Sequence, residues 1–255
     1  MNPQPSWDEL QGYYDQKYQP YNPGLEAEDD PEIEKAKWEG RYRHIPLPTG
    51  KHLLDVGCGG GQFLRICKKL GAIEQGVEPS EYGAKAARQQ GLRVFHGTLE
   101  AYAAHSSKRN QFDVITANHV LEHVPEPVET LRLMKELLTP QGFIWIAVPN
   151  AAYPICRALK GYWHSNDLPF HLMQFTPASL MEAGRRAGLS VRSQTTESIP
   201  HITAGSLGLY LRYKWKLPRR LTNKFGLLDR LAVWYANKMD AQNSGEALIT
   251  EFVVA

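Results

Sequence analysis

The feature that most constrains this chain is a run of glycines set between an apolar segment and a helical one. The run reads His52-Leu-Leu-Asp55-Val-Gly57-Cys58-Gly59-Gly60-Gly61, followed by Gln62-Phe-Leu-Arg-Ile-Cys. An apolar stretch that passes at once into a tight turn and then a helical pattern reads as a buried strand feeding a helix. Such a turn needs glycine, because the backbone must reach positive φ and leave room for a ligand where a Cβ would stand. The helix start beyond it offers unpaired N–H groups to a polar or acidic ligand.

The rest of the chain keeps the same rhythm. Strands are predicted at 52–57, 73–79, 92–97, 112–118, 143–150, 191–196 and 247–254, and helices at 62–70, 81–90, 128–138 and 176–187. Thr176 suits an N-cap, Pro177 a first helical position and Gly188 a helix end. Strands alternating with helices imply a Rossmann-like, doubly wound α/β fold with both faces of a mostly parallel sheet covered. The last two predicted strands lack a simple crossover helix between them. They point to a seven-stranded sheet whose last strand runs antiparallel.

Two segments stand outside this pattern. Residues 1–45 form an aromatic N-terminal arm, with Trp7, Tyr13, Tyr14, Tyr18, Tyr21, Trp38 and Tyr42 among prolines and acids. The domain proper is then expected over 46–196 and 245–255, interrupted by a helical lid at 197–244. Within 198–240 the lid carries eight basic residues against two acids, with six aromatics among them. Three readings of it stand side by side: a cover over the acceptor, a surface that meets a membrane or a lipid-linked substrate, or a plain solvated helix pair.

Composition excludes several classes. A net charge of +2 in 255 residues argues against a nucleic-acid partner. Cys58, Cys67 and Cys156 make neither a disulfide framework nor a metal site and suit a cytoplasmic location. The polar start MNPQPSWDEL is no signal peptide, and the longest strongly apolar run, 143–148, is too short to span a bilayer.

The glycine turn does not follow the dinucleotide pattern. A G-x-G-x-x-G starting at Gly57 needs glycine at Gln62, and one starting at Gly59 needs it at Leu64. Glu78 closes the second strand, 21 residues after Gly57. A carboxylate there suits the two adjacent hydroxyls of a ribose.

These residues resemble a known family. Residues 53–64 (LLDVGCGGGQFL) look like motif I of class I S-adenosylmethionine-dependent methyltransferases, and 76–80 (GVEPS) like their acidic-loop motif. FDVITANHVLEHVPEP at 112–127 and PQGFIWIAVPN at 140–150 resemble motifs IV and VI. PFHLMQFTPASLMEAGRRAGL at 169–189 resembles a bacterial subset related to the ubiquinone-biosynthesis O-methyltransferases. The resemblance implies an enzyme that moves a methyl group from S-adenosylmethionine to a small-molecule acceptor, by O-methylation. Asp55 would reach the methionine ammonium, and Gly57, Cys58, Gly59 and Gly61 would follow the methionine and ribose. Glu78 would hold the ribose diol, with Pro79 beside the adenine. Thr98 and Leu99 would meet the adenine, and Asn118 and His119 the sulfonium end.

For acid–base work on the acceptor the candidates are His171, His123 and Glu122, with His119 and His164 also considered, His171 ranked first and no metal expected. His119, Glu122 and His123 are spaced to share one face of a turn. Two other functions compete: a catalytically inactive binding protein on the same fold, and an NAD(P)-linked oxidoreductase. The oligomeric state is open.

Overall fold

The structure, a computed structural model, describes residue 9 and residues 49–105, 111–167, 170–218 and 226–255. The N-terminal arm, apart from Glu9, therefore lies outside the described residues.

Seven strands form one sheet: β1 (His52–Val56), β2 (Ile73–Glu78), β3 (Val94–His96), β4 (Phe112–Asn118), β5 (Leu138–Pro149), β6 (Leu189–Glu197) and β7 (Ala247–Val254). Their order across the sheet is β3-β2-β1-β4-β5-β7-β6. β1 pairs in parallel with β2 and β4, β2 with β3, and β4 with β5. β7 is antiparallel to both neighbours, with Ile146 opposite Thr250 and Thr195 opposite Ile249. The final strand thus wedges between β5 and β6, and the expected mixed sheet is observed.

Helices α1 (Gln62–Lys69), α2 (Glu81–Gln89), α3 (Leu99–His105) and α4 (Pro127–Leu137) alternate with the first five strands. After β5 come α5 (Pro154–Leu159), two short 3₁₀ turns (Lys160–Tyr162 and His164–Asn166) and α6 (Pro177–Arg186). α7 (Pro200–Lys214) and α8 (Gly226–Ala241) lie between β6 and β7 and pack against each other.

The period-two alternation of the strands divides the core. Leu54, Val56, Ile115, Ile144 and Ile146 face one side with Leu131 and Met134 of α4 and Leu180 of α6. Leu53 and Val114 face the other side, with Phe63, Leu64 and Cys67 of α1 and Ala84 and Ala87 of α2. Both faces are covered, as near-continuous apolar strands require.

The start of β5 and two short helices depart most from the sequence reading. β5 begins at Leu138, five residues early, because Leu138 pairs with Phe112 before a register irregularity lets the main ladder start at Phe143. α3 and α5 were not foreseen. α3 is a single short run whose start Thr98 caps, its hydroxyl accepting from Ala101 N at 3.3 Å, and α5 spans only six residues behind a proline.

Candidate functional site

The strand order reverses at β1, with β2 on one side and β4 on the other. The carboxyl ends of these strands therefore open a crevice at a topological switch point. The glycine turn rims it. Gly57 N and Cys58 N donate to Val77 O at 2.8 and 3.2 Å, and Gly61 N donates to Cys58 O at 2.9 Å. Gly57 has φ +68°, and a Cβ there would lie 2.6 Å from Val120 Cγ2, so only glycine lets the loop after β4 close on the turn. Gly61, at φ +84°, sits at the start of α1, where a Cβ would lie 2.4 Å from Leu92 Cδ1.

Two buried carboxylates lie beneath this turn. Glu78 accepts from Gly59 N at 2.8 Å through one oxygen and from Ser80 N at 2.9 Å through the other. Asp55 accepts from the Thr116 hydroxyl at 2.8 Å. Burial pushes the Asp55 carboxyl up to about 7; the Thr116 hydrogen bond opposes the rise and the Glu78 charge adds to it. Cys58 and Cys67 are buried thiols whose pKa values are pushed far up, chiefly by burial, so they are inert packing groups.

A second cluster begins one residue past β4. His119 holds a left-handed backbone (φ +55°), fixed by its N–H donating to Ala147 O at 2.9 Å. Its Nδ1 meets Glu122 Oε1 at 3.1 Å, while 41% of its side chain stays open. A carboxylate only accepts, so Nδ1 carries the proton and Nε2 is the nitrogen left for a reactant. Burial works against protonating His119, but the hydrogen bond and charge of Glu122 and the charge of Glu246 outweigh it, so its pKa lies above the usual histidine value. Burial likewise pushes Glu122 up, yet the bond to His119 and the charges of His119, His123 and His171 hold it below the usual carboxylate range.

The backbone of Glu122 fastens the cluster to a distant segment: its carbonyl accepts from Leu172 N at 2.8 Å and Met173 N at 3.2 Å. His171 Nε2 then lies 3.9 Å from Glu122 Oε1, its Nδ1 is 2.8 Å from Ser165 O, and its ring meets His123 edge-on at 4.7 Å. His123 Nδ1 is 3.1 Å from Phe170 O. One ligand-type atom from each of Glu122, His123 and His171 falls within 4.8 Å of the others, a spacing that suits a metal ion.

The residue that sequence reasoning missed is Glu246. It is buried just before β7, and its carboxylate accepts from the Ser165 hydroxyl at 2.5 Å. Its N–H donates to Ser198 Oγ at 3.3 Å and its carbonyl accepts from Asn150 N at 2.7 Å. Burial raises its pKa, and it feels the charges of His119, His164 and Glu122.

A sequence profile for a family described as a methyltransferase domain matches residues 34–194. The chain belongs to this methyltransferase family. It is 33% identical over 162 residues to the ubiquinone biosynthesis O-methyltransferase of Aeromonas salmonicida, covering 57% of this chain and 66% of that protein, just under two thirds. The same-named protein of Azoarcus sp. is 31% identical over 203 residues, 76% of this chain and 87% of its own. Two solved structures share the fold. The 4+2 cyclase SpnF aligns with TM-score 0.60 and 21% identity over 98% of this chain and 97% of its own. An S-adenosylmethionine dependent methyltransferase from Mesorhizobium loti aligns with TM-score 0.54 and 18% identity over 85% and 97%.

On the methyltransferase domain the sequence-predicted positions fall into two groups. Asp55, Gly57, Cys58, Gly59, Gly61 and Glu78 are tied together around the glycine turn. Glu122 meets both His119 and His171, and His171 meets the His123 ring, just past the carboxyl end of β4. Thr98 is exposed and its hydroxyl serves as the α3 cap, while Leu99 is buried in the core. Among the described residues, no helix is long and apolar enough to cross a membrane.

Proposed function

We propose that this chain transfers the methyl group of S-adenosylmethionine to a hydroxyl of a small-molecule acceptor, with His119 as the base and Glu122 as the group that orients it. The carrying observation is the His119–Glu122 contact at 3.1 Å, at the end of β4 and open to the crevice. A histidine held at Nδ1 by a buried carboxylate keeps one tautomer and becomes a stronger base. Its raised pKa brings it nearer the operating pH, where a general base is most effective. His171 and His123 support Glu122 from behind in this reading.

The donor half of the site fits the same reading. Glu78 accepts from Gly59 N through one oxygen and from Ser80 N through the other, which fixes a carboxylate at the end of β2, where two ribose hydroxyls would be donors. Asp55 and Glu78 form a buried acidic pair whose mutual repulsion a methionine ammonium would relieve. Gly57, Cys58, Gly59 and Gly61 would border the methionine and ribose, with Pro79, Thr98 and Leu99 toward the adenine and Asn118 toward the sulfonium. When bound, the donor supplies a methyl on a positively charged sulfur. His119 would take the acceptor hydroxyl proton as the new oxygen–carbon bond forms and the sulfur–carbon bond breaks.

The hydroxyl as acceptor atom is supported by the Aeromonas and Azoarcus relatives, both named O-methyltransferases. Free Cys58, Cys67 and Cys156 suit a reducing compartment and support a cytoplasmic location. One observation favours a second reading: Glu122 Oε2 is buried with no hydrogen-bond partner among the described residues. Beside His123 and His171 it would accept a divalent cation, which would polarise the acceptor oxygen.

Methyl transfer from radiolabelled donor to a panel of phenols and alcohols separates these readings. His119→Gln is expected to lower kcat by ~10²–10⁴, the usual contribution of a general base, while donor binding by calorimetry persists. Transfer that survives His119→Gln but stops on chelation would move the chemistry to the cation. Donor binding without transfer to any acceptor would leave a binding protein.

A further inference from the structure

α7 and α8 leave a surface that a water-facing helix pair would not keep. At the end of α7, six consecutive residues, Tyr213-Lys-Trp-Lys-Leu-Pro218, are all exposed. Tyr213 is 63% and Trp215 66% exposed. On α8, Leu231 and Val233 are exposed and Trp234 is 60% exposed. Single exposed apolar side chains need no explanation, but two tryptophans, a tyrosine and several aliphatics on one helix pair do. Tryptophan joins a large apolar ring to a polar N–H and is enriched at interfaces where one end is apolar and the other wet.

The charge of the surface says what that surface is. Arg212, Lys214 and Lys216 are interleaved with Tyr213, Trp215 and Leu217. On α8, Lys238 stands 5.4 Å over the Trp234 ring, one turn along the same face. Aromatic rings with basic side chains between them match the boundary of an anionic bilayer, where rings enter the headgroup layer and ammonium groups meet phosphates. A second copy of this chain fits less well. A two-fold contact would set the same cationic patch against itself.

The inner side of the pair is pinned to the segment beside the acceptor cluster. Thr203 Oγ1 meets the buried Tyr153 hydroxyl at 2.7 Å, Ser206 Oγ accepts from His164 N at 3.0 Å, and Tyr210 packs edge-on against Tyr162. His164 adjoins Ser165, which holds Glu246. A surface that docks on α7 and α8 therefore stands directly behind the acceptor half of the crevice.

We infer that the exposed aromatic and basic residues of α7 and α8 form a peripheral anchor for an anionic lipid bilayer. The inference stands apart from the methyl-transfer reading, since it concerns residues outside that site. The test is sedimentation of the full chain with vesicles of phosphatidylcholine alone and of phosphatidylcholine mixed with phosphatidylglycerol. Binding to the mixed vesicles, weakening as salt is raised, is expected. Lys214→Gln with Lys216→Gln should weaken it about 30-fold, from ~1 kcal/mol per basic residue at such a surface. Trp215→Ala with Trp234→Ala should also release the protein, with melting temperature and donor affinity unchanged. No binding to mixed vesicles at low salt overturns the inference. So does equal binding to both vesicle types, or a dimer in solution that Trp215→Ala dissociates. Loss of donor binding by the wild type would instead strike the proposed function and leave the anchor standing.

Discussion

Lowering the pH should weaken donor binding through a single carboxyl, Asp55. In the free protein burial and the Glu78 charge set its pKa at about 7, against the pull of the Thr116 hydroxyl. A methionine ammonium beside it would favour the ionised form, so its pKa must fall on binding. Affinity then follows the ionised fraction of the free protein. That fraction is about one half at pH 7 and about 3% at pH 5.5 for a pKa of about 7, so the apparent Kd should rise roughly 15-fold across this window. The α-amino group of the donor, with a pKa of about 7.7–8.0, stays largely cationic throughout, which is why the window ends at pH 7. Calorimetry in two buffers of different ionisation enthalpy should show release of roughly half a proton per donor bound at pH 7 and roughly one at pH 5.5. Asp55→Asn should bind more weakly at pH 7 and show no such slope. An affinity that is equal at the two pH values, or a slope that survives in Asp55→Asn, would refute the placement of the ammonium against Asp55.

Two stability measurements accompany this one. A carboxyl whose pKa is raised on folding adds stability below its unfolded pKa of about 3.9, and that stability is lost as pH rises through about 7. The unliganded protein should therefore be less stable at pH 8 than at pH 5 by on the order of 3 kcal/mol from this group, and Asp55→Asn should melt higher than wild type at pH 8 while losing donor affinity. Gly61→Ala should lower stability by ~1–3 kcal/mol in a denaturant titration, because the new methyl at φ +84° would lie 2.4 Å from Leu92 Cδ1 and 2.9 Å from Ala87 Cβ; an unchanged midpoint would mean the start of α1 relaxes freely.

What the sequence makes legible follows the range of the contacts involved. The glycine turn, Asp55 and Glu78 sit on neighbouring parallel strands joined by one helix, so spacing and residue type suffice to place them. The capped α6 is equally local: Thr176 accepts from Ser179 N at 3.2 Å and Gly188 has φ +75°, as their residue types imply. Glu246 was hidden because nothing near it in sequence marks it. It reaches Ser165 only because β7 returns antiparallel between β5 and β6 and brings residue 246 beside residue 150. The left-handed backbone of His119 was hidden for a related reason. It is set by a hydrogen bond to Ala147 on β5, not by any local turn residue.

The two halves of the crevice therefore answer to different physics. The proposed donor half is largely backbone: glycine φ angles, N–H groups and Glu78 anchored on two of them, with Asp55 held by the Thr116 hydroxyl. Few sequences satisfy those constraints, so the half is recognisable and changes in it are costly. The proposed acceptor half is a set of side chains from residues 119–123, 164–173 and 246, linked by individual side-chain hydrogen bonds, of which Ser165–Glu246 is long-range. Each of those bonds can be exchanged at a cost of roughly 1 kcal/mol without unmaking the fold. The acceptor is thus to be sought in the chemistry of His119, Glu122, His171 and Glu246, and the shared fold carries no information about it.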